Sequence, residues 1–179
     1  EFGQQDGVEV AYVCDPDETL ANELADAVEK QQGKRPQAVQ DLRTIFDDKS
    51  VDTVSVAAPN HWHALAAIWA MQSGKDVYVE KPVSHNVVEG RRMIEVTAAT
   101  GRICQVGTQR RSLGGLQAAA EFIKQGKLGE VTFARSIIYG NRGSIGSKGI
   151  YDLPKNVDYN LWLGPAPMSK LTRPNLHYD

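Results

Sequence analysis

The chain has 179 residues, of which 41% are hydrophobic and 23% charged, and its formal net charge is −2. This composition is typical of a soluble globular protein with one domain, or with one domain and part of a second. Because no basic run and no apolar stretch of about 18–20 residues occurs, we expect neither a nucleic-acid surface nor a membrane span. The two cysteines, Cys14 and Cys104, lie in apolar runs and fit no metal-binding spacing, so we expect core residues and no metal site.

Apolar runs alternate with helical patterns as far as Arg111. Strands are predicted at Val8–Cys14, Ala38–Gln40, Val51–Ala58, Val77–Val79 and Ile103–Val106, with a helix after each of the first four. This alternation predicts an α/β fold with a Rossmann-like, doubly wound parallel sheet. Right-handed crossovers place the carboxyl ends of the strands on one edge, where proteins of this class bind ligands.

The pattern changes after Arg111. A helix is predicted over Leu113–Gln125, and a β-rich run follows at Glu130–Tyr139 with no helix directly behind it. Residues 140–179 are rich in proline and glycine and have no clear period. We therefore predict a dinucleotide-binding type of domain over residues 1–111 and the beginning of a second, more β-rich domain over residues 112–179.

A glycine-rich phosphate loop is missing from the expected place. In dinucleotide-binding βαβ units this loop lies about 20 residues before an acidic residue that binds ribose. If Asp15 is that residue, the loop falls before residue 1, and the first β–α unit is expected to be truncated. Asp15 would then accept both ribose hydroxyls and repel a 2′-phosphate, which favours NAD over NADP. Asp15, with Pro16 and Glu18 behind it, also fits a helix N-cap, and the two roles are compatible.

Glycines recur at every third position of a later segment, GNRGSIGSKG, which also contains Arg142 and Lys148. A phosphate cradle is one interpretation of this spacing. Because no helix begins behind the segment, a mobile loop that covers a site is the favoured alternative.

Polar residues follow the predicted strands. The run KDVYVEKP ends in Glu80, Lys81 and Pro82, and a lysine at such a strand end can exchange protons with a ligand, although a solvated turn lysine is the alternative. His61 and His63 do not share a helix face, which disfavours a metal site. His63 can instead form a hydrogen bond outward to a ligand, and Asn60 is either a ligand contact or an N-cap.

The stretch AAPNHWHALAAIWAMQSGKDVYVEKPVSHNVVEGRRMIE strongly resembles the glucose-fructose oxidoreductase, inositol dehydrogenase and MocA (Gfo/Idh/MocA) family. The motifs that carry the resemblance are Pro59-Asn60-x-x-His63 and Glu80-Lys81-Pro82. The segments Val106–Ser112 and Asp158–Pro167 resemble a subgroup of that family.

The resemblance implies a Rossmann domain followed by an α+β domain with a large open sheet. It implies NAD, with NADP as the alternative, and hydride transfer at a hydroxyl-bearing carbon of a sugar or polyol. Lys81 is implied as the catalytic residue, and Trp162 and the glycine-rich segment as neighbours of the substrate. The cofactor-binding residues are predicted to be Asp15, Pro59, Asn60, His63, Glu80, Lys81, Pro82 and Gln109.

The family's downstream Asp/His pair would lie beyond Asp179, so the chain by itself is expected to be inactive and the predicted function is that of the parent protein. Two other functions remain open: an NAD-dependent glycosidase on the same fold and a non-catalytic cofactor-binding regulator, both disfavoured by the intact Lys81. The resemblance also implies a homo-oligomer formed through the second domain. Cytoplasmic localisation is favoured, with export left open because the first residue is Glu rather than Met.

Overall fold

Parallel strands and helices alternate along the first part of the chain, as the sequence predicts. The structure, a computed structural model, describes residues 3, 5–140, 143–144 and 146–176. The strands are β1 Tyr12–Cys14, β2 Gln37–Val39, β3 Thr53–Val56, β4 Asp76–Glu80 and β5 Cys104–Gly107. The helices are α1 Glu18–Gln32, α2 Arg43–Asp47, α3 Asn60–Gln72, α4 Val87–Thr100, α5 Gly114–Lys124 and α6 Tyr159–Leu163, with a 3₁₀ turn at Gln109–Ser112.

The strands form two parallel groups. β1 pairs with β2, and β3, β4 and β5 form a three-stranded sheet in that order. In a doubly wound sheet of order 3-2-1-4-5-6, these groups correspond to the second and third strands and to the last three. No described strand pairs with both β1 and β3. The parallel α/β class is confirmed, and each group has its carboxyl strand ends on one edge.

Helix α3 lies at the centre of the core and has buried residues on every side. It packs against β3, β4 and α4, which explains why its sequence is apolar without a polar stripe. In β4 the side chains alternate, so that Val77 and Val79 are buried between their half-buried neighbours. The buried residues of α3 are Trp62, His63, Ala64, Ala66, Ala67, Ala70 and Met71.

The helix caps confirm one prediction and correct another. Asn86 accepts a hydrogen bond from the Glu89 N–H at 3.0 Å, and its side-chain amide donates to the Glu89 carboxylate at 2.8 Å, a reciprocal pair like that of a capping box. The N-cap of α1, however, is Asp17, whose carboxylate accepts from the N–H of Thr19 at 2.9 Å. The prediction that Asp15 caps this helix is wrong, because α1 begins two residues later than the sequence pattern suggests.

Residues after Arg111 form fewer elements than predicted. Helix α5 matches the predicted helix, but Glu130–Tyr139 forms no strand in the described structure. A strand needs a neighbour to satisfy its backbone groups, and no described segment provides one. Of the glycine-rich segment, Arg142 lies outside the described residues. The domain boundary near Arg111 stays a prediction.

One late segment, residues 156–164, packs against the first part of the chain. Asn156 donates to the Asp17 carboxylate at 2.6 Å, and the Glu18 N–H donates to the Asn156 carbonyl at 2.9 Å. The Trp62 indole N–H donates to the Leu161 carbonyl at 3.0 Å. A Cβ on Gly164 would lie 2.3 Å from the Trp62 ring, so glycine is required for this approach. We call residues 156–164 the docking segment.

Candidate functional site

The predicted site residues lie where strands end. Within the three-stranded sheet, Asn60 begins the helix that follows β3, Glu80 ends β4, and Gln109 lies just beyond β5. Because these strands are adjacent and parallel, the structure brings the three positions to one edge of the sheet. Asp15 follows β1, which belongs to the other pair of strands.

The Glu80 carboxylate connects neighbouring parts of this edge. One oxygen accepts a hydrogen bond from the Lys81 N–H at 3.2 Å, and the other accepts one from the Gln109 amide at 3.4 Å. Glu80 pairs in register with Gly107, where a Cβ would lie 3.0 Å from the Glu80 carboxyl carbon and 2.8 Å from the Tyr78 oxygen. Gly107 therefore leaves the space in which Glu80 folds over β5.

Lys81 stands in the turn directly after β4. Its side chain is exposed, and its peptide bond to Pro82 is cis. The Lys81 ammonium forms no hydrogen bond or ion pair with the described part of the chain. Glu80 binds the backbone of Lys81 rather than its amine, so the amine is available to a ligand at the sheet edge.

His63 is 2% exposed and lies beneath this turn. Its Nδ1 is 2.6 Å from the Pro82 carbonyl oxygen, and its Nε2 is 2.6 Å from the Ala58 carbonyl oxygen. Both ring nitrogens are thus occupied by main-chain oxygens. The predicted hydrogen bond from His63 outward to a ligand is wrong, because the ring points into the protein between two strand exits.

Asp15 shapes the turn between β1 and α1. Its carboxylate accepts from the Asp17 N–H at 2.8 Å, and the side chain is half-buried at the strand end. Burial, with smaller contributions from the charges of Asp15 and Asp41, raises the pKa of the Cys14 thiol to about 12. Cys14 therefore stays protonated at physiological pH, which agrees with a core residue. The role of Asp15 toward ribose stays a prediction.

Pro59, Asn60, Pro82 and Gln109 are all exposed at the edge, where a ligand can reach them. Asn60 is the first residue of α3 and does not cap it, since the capping position is Pro59 and no side-chain cap is formed. The cofactor-binding roles of these four residues stay predictions.

Among the described residues, no three His, Cys, Asp or Glu side chains cluster closely enough to hold a metal ion. No helix in the described ranges has the length and apolar character needed to cross a membrane.

The sequence did not reveal the docking segment as part of this region. Its residues were assigned to the second domain, but they cover the exit of β1 and the first turn of α3. Within it, Trp162 stacks on Tyr159 with ring centroids 5.7 Å apart, and its carbonyl lies 3.4 Å from His61 Nε2. In the sequence, this packing is indicated by the two aromatic residues Tyr159 and Trp162 before Gly164. The predicted contact between Trp162 and substrate stays a prediction.

The edge fits part of a nicotinamide dinucleotide. A carboxylate at a strand end, the exposed Asn60 amide and the exposed Lys81 amine suit ribose hydroxyls and the nicotinamide end. The sequence contains no Gly-x-Gly-x-x-Gly motif between a strand and a helix to receive the pyrophosphate. Asp15, Asn60 and Lys81 are the predicted contacts to the two ends of the cofactor, and these roles stay predictions.

Comparison with known proteins agrees with this geometry. Residues 2–108 match the Gfo/Idh/MocA family model, described as an oxidoreductase family with an NAD-binding Rossmann fold. The chain belongs to this family. A curated relative, inositol 2-dehydrogenase of Salmonella paratyphi B, is 31% identical over 125 residues, which cover 69% of this chain and 36% of that protein.

Two further relatives of the Gfo/Idh/MocA chain are informative. A glycosyl hydrolase family 109 protein of Shewanella baltica is 29% identical over 110 residues, covering 59% of this chain and 24% of that protein. The crystal structure of the WlbA dehydrogenase from Bordetella pertussis, in complex with NADH and UDP-GlcNAcA, superposes with a TM-score of 0.59 at 29% identity. That match covers 72% of this chain and 36% of the WlbA chain. The chain thus matches about a third or less of the length of these relatives.

Proposed function

We propose that the chain is the cofactor-binding part of an NAD-dependent dehydrogenase that acts on a hydroxyl-bearing carbon of a sugar or polyol. The observation that carries the proposal is the exposed amine of Lys81, presented at the carboxyl edge of a parallel sheet by a turn whose backbone is bound by Glu80. The relatives named for inositol, and the dehydrogenase solved with NADH and a nucleotide sugar, support the substrate class.

The residues at this edge of the sheet have different proposed roles. Bound NAD supplies the hydride acceptor, and oxidation of the alcohol releases one proton for each hydride. We propose that Lys81, when its amine is neutral, accepts the hydroxyl proton and passes it to solvent, to which its side chain is exposed. In the reverse direction the ammonium of Lys81 returns a proton to the carbonyl oxygen. Glu80 orients the lysine turn through the Lys81 N–H, and we propose that Asn60 contacts the cofactor end beside it.

The test is hydride transfer by the full-length protein. It is incubated with NAD⁺ and a panel of polyols, free sugars and nucleotide sugars, and NADH formation is followed by absorbance. We expect NADH with at least one member of the panel and a stronger response to NAD⁺ than to NADP⁺, because Asp15 disfavours a 2′-phosphate. Binding of NAD⁺ with no turnover on any member would contradict the dehydrogenase proposal.

A glycosidase that uses NAD for transient oxidation is the second candidate, and the glycosyl hydrolase family 109 relative favours it. The two functions differ in their net redox change. A dehydrogenase accumulates NADH, whereas such a glycosidase releases a free sugar and returns its cofactor to the oxidised form. Assaying glycoside cleavage and NADH in the same sample with aryl glycosides separates them.

We also propose self-association of the full-length protein through the region after Arg111. Support comes from large apolar side chains that are exposed there, among them Leu116, Phe122, Ile123, Phe133 and Ile138. Exposed apolar patches of this kind mark interaction surfaces. Light scattering of the full-length protein should give a mass that is a multiple of its chain mass, and a monomer would contradict the proposal.

A further inference from the structure

His63 has a hydrogen-bonding arrangement that the neutral side chain cannot satisfy. Both ring nitrogens are 2.6 Å from carbonyl oxygens, Nδ1 from Pro82 and Nε2 from Ala58. Carbonyl oxygens only accept hydrogen bonds, and a neutral imidazole has one donor and one acceptor nitrogen. In either neutral tautomer, one ring lone pair would face a carbonyl lone pair at that distance. Only the imidazolium form donates to both oxygens.

We infer that His63 is a buried imidazolium that fixes the Lys81 turn to the exit of β3, and that it is a positioning residue of the site rather than a cofactor contact. With 2% of its surface exposed, the ring cannot exchange either carbonyl for water without opening the structure. A buried cation is costly to desolvate, and the two charge-assisted hydrogen bonds offset part of that cost.

The chain around the ring explains how a positioning role would work. Pro82 directly follows Lys81, so the bond from Nδ1 holds the residue next to the amine-bearing position. Ala58 lies two residues before Asn60, and His63 is one helical turn after Asn60. One ring therefore sets the separation between the loop that presents Asn60 and the turn that presents Lys81.

The charges near the two carbonyls are few. Residues 54–60, which supply Ala58, have no titratable side chain, and the turn after β4 contributes Glu80 and Lys81. On α4, which packs against α3, the Glu89 carboxylate accepts from the His85 N–H and from the Asn86 side-chain amide. Arg92 pairs with Glu95 on the surface. No carboxylate of the described residues pairs with the His63 ring, so the two carbonyls alone stabilise its charge.

The direct test is the protonation state of the ring, measured by long-range ¹H–¹⁵N correlation on the chain labelled with ¹⁵N-histidine near neutral pH. His63→Gln assigns the His63 signals. We expect both His63 nitrogens to show the shifts of hydrogen-bearing nitrogens. One nitrogen with the shift of a bare ring nitrogen would overturn the inference. This measurement needs neither cofactor nor substrate, so its result is separate from that of the proposed dehydrogenase function.

The positioning role is tested at Lys81. Lysines are reductively ¹³C-dimethylated, and the Lys81 signal is assigned with Lys81→Arg. We expect His63→Gln to shift the Lys81 signal and His61→Gln to leave it in place, because His61 makes one contact at 3.4 Å to the docking segment. An unshifted Lys81 signal in His63→Gln would overturn the positioning role. If His63→Gln does not fold, the ring measurement on the unsubstituted chain still decides the charge state.

The full-length protein, if the proposed function holds, adds a kinetic readout. His63→Gln should lower kcat by about 10²-fold, as expected for a misplaced catalytic group, with a smaller change in KM for NAD⁺. Equal kinetics for His63→Gln and His61→Gln would contradict the inference while leaving the dehydrogenase assignment intact.

Discussion

Strand β4 lies between two lysines, Lys75 just before it and Lys81 just after it. Lys75 is 1% exposed, and its ammonium donates to the carbonyls of Asp48 at 2.5 Å and Val51 at 3.0 Å. Lys81 is exposed and its ammonium has no partner among the described residues. The same side-chain type thus closes the amino edge of the sheet and is presented to solvent at the carboxyl edge.

The surroundings of the two lysines explain the difference. At the amino edge the Asp48 carboxylate accepts from the Tyr12 hydroxyl at 2.8 Å and from the Ser50 N–H at 2.8 Å, which orders the loop that Lys75 binds. At the carboxyl edge, Glu80 and His63 bind backbone groups on either side of the Lys81 side chain and leave its amine open. A closed edge stabilises the fold, while an open edge with a fixed backbone can do chemistry.

The largest expected effect is the loss of activity when Lys81, at the carboxyl edge of the sheet, is replaced. Replacing Lys81 with Gln in the full-length protein should lower kcat by about 10²–10⁴-fold, the usual contribution of a general acid or base. The free energy of unfolding should stay within about 0.5 kcal/mol, since no contact of the ammonium is lost. Lys49→Gln, an exposed lysine before β3, is the matched control and should change neither quantity. Retained activity in Lys81→Gln would contradict the proposed catalytic role of Lys81.

Substitution of Lys75 at the amino edge should change the stability of the fold, in contrast to substitution of Lys81. Lys75→Met keeps the length of the side chain but leaves the Asp48 and Val51 carbonyls unpaired in a buried place. We expect a loss of about 3 kcal/mol in the free energy of unfolding, since hydrogen bonds to charged groups and buried unsatisfied carbonyls are costly. Urea denaturation of the chain measures it, with Lys49→Met as the control. A loss below about 1 kcal/mol would mean that Lys75 does not hold this edge.

A smaller effect is expected from Gly107→Ala, which tests how Glu80 is held. The added methyl group would press on the Glu80 carboxylate and the Tyr78 hydroxyl. We expect a loss of about 1 kcal/mol, at the low end of overpacking effects because both groups are side-chain ends that can shift, and weaker NAD⁺ binding by the full-length protein. This substitution changes the carboxyl edge of the sheet while Lys81 itself stays unaltered. Unchanged denaturation and NAD⁺ titration curves would contradict the fixed position of Glu80.

The smallest expected effect is the pH dependence of stability that Asp48 contributes at the amino edge of the sheet. Hydrogen bonds from Ser50, then from Tyr12, lower the pKa of Asp48 from its ordinary value of 3.8 to about 2. A carboxylate with a lowered pKa stabilises the fold above its unfolded pKa and loses that contribution as the pH falls to its folded pKa. The stability difference between the unsubstituted chain and Asp48→Asn should therefore shrink between pH 3.8 and about 2. A difference that is constant over this window would contradict the lowered pKa.

Patterns within one stretch of chain were predicted well, and contacts between distant stretches were not. The strand–helix alternation, the Asn86–Glu89 capping box and the edge position of Lys81 follow from local periodicity and chain direction. The N-cap was misplaced from Asp17 to Asp15 because either aspartate fits the pattern, and only the actual first turn of α1 distinguishes them.

Three-dimensional partners account for the remaining differences. His63 looked like an outward donor because sequence cannot show that two carbonyls, from Ala58 and Pro82, enclose its ring. The burial of Lys75 depends on a loop more than twenty residues away, which the residues next to Lys75 do not indicate. The Glu130–Tyr139 run has strand-forming residues, but a strand requires a partner as well as propensity.

The docking segment bears on how the polypeptide can be divided. A chain ended at Arg111 would keep every strand of the parallel sheet, yet it would lose Asn156 from Asp17 and leave the indole N–H of the buried Trp62 without its acceptor. We therefore expect a chain ended at Arg111 to be less stable than one that includes the docking segment. A cut made after Gly164 rather than after Arg111 would keep both of these contacts.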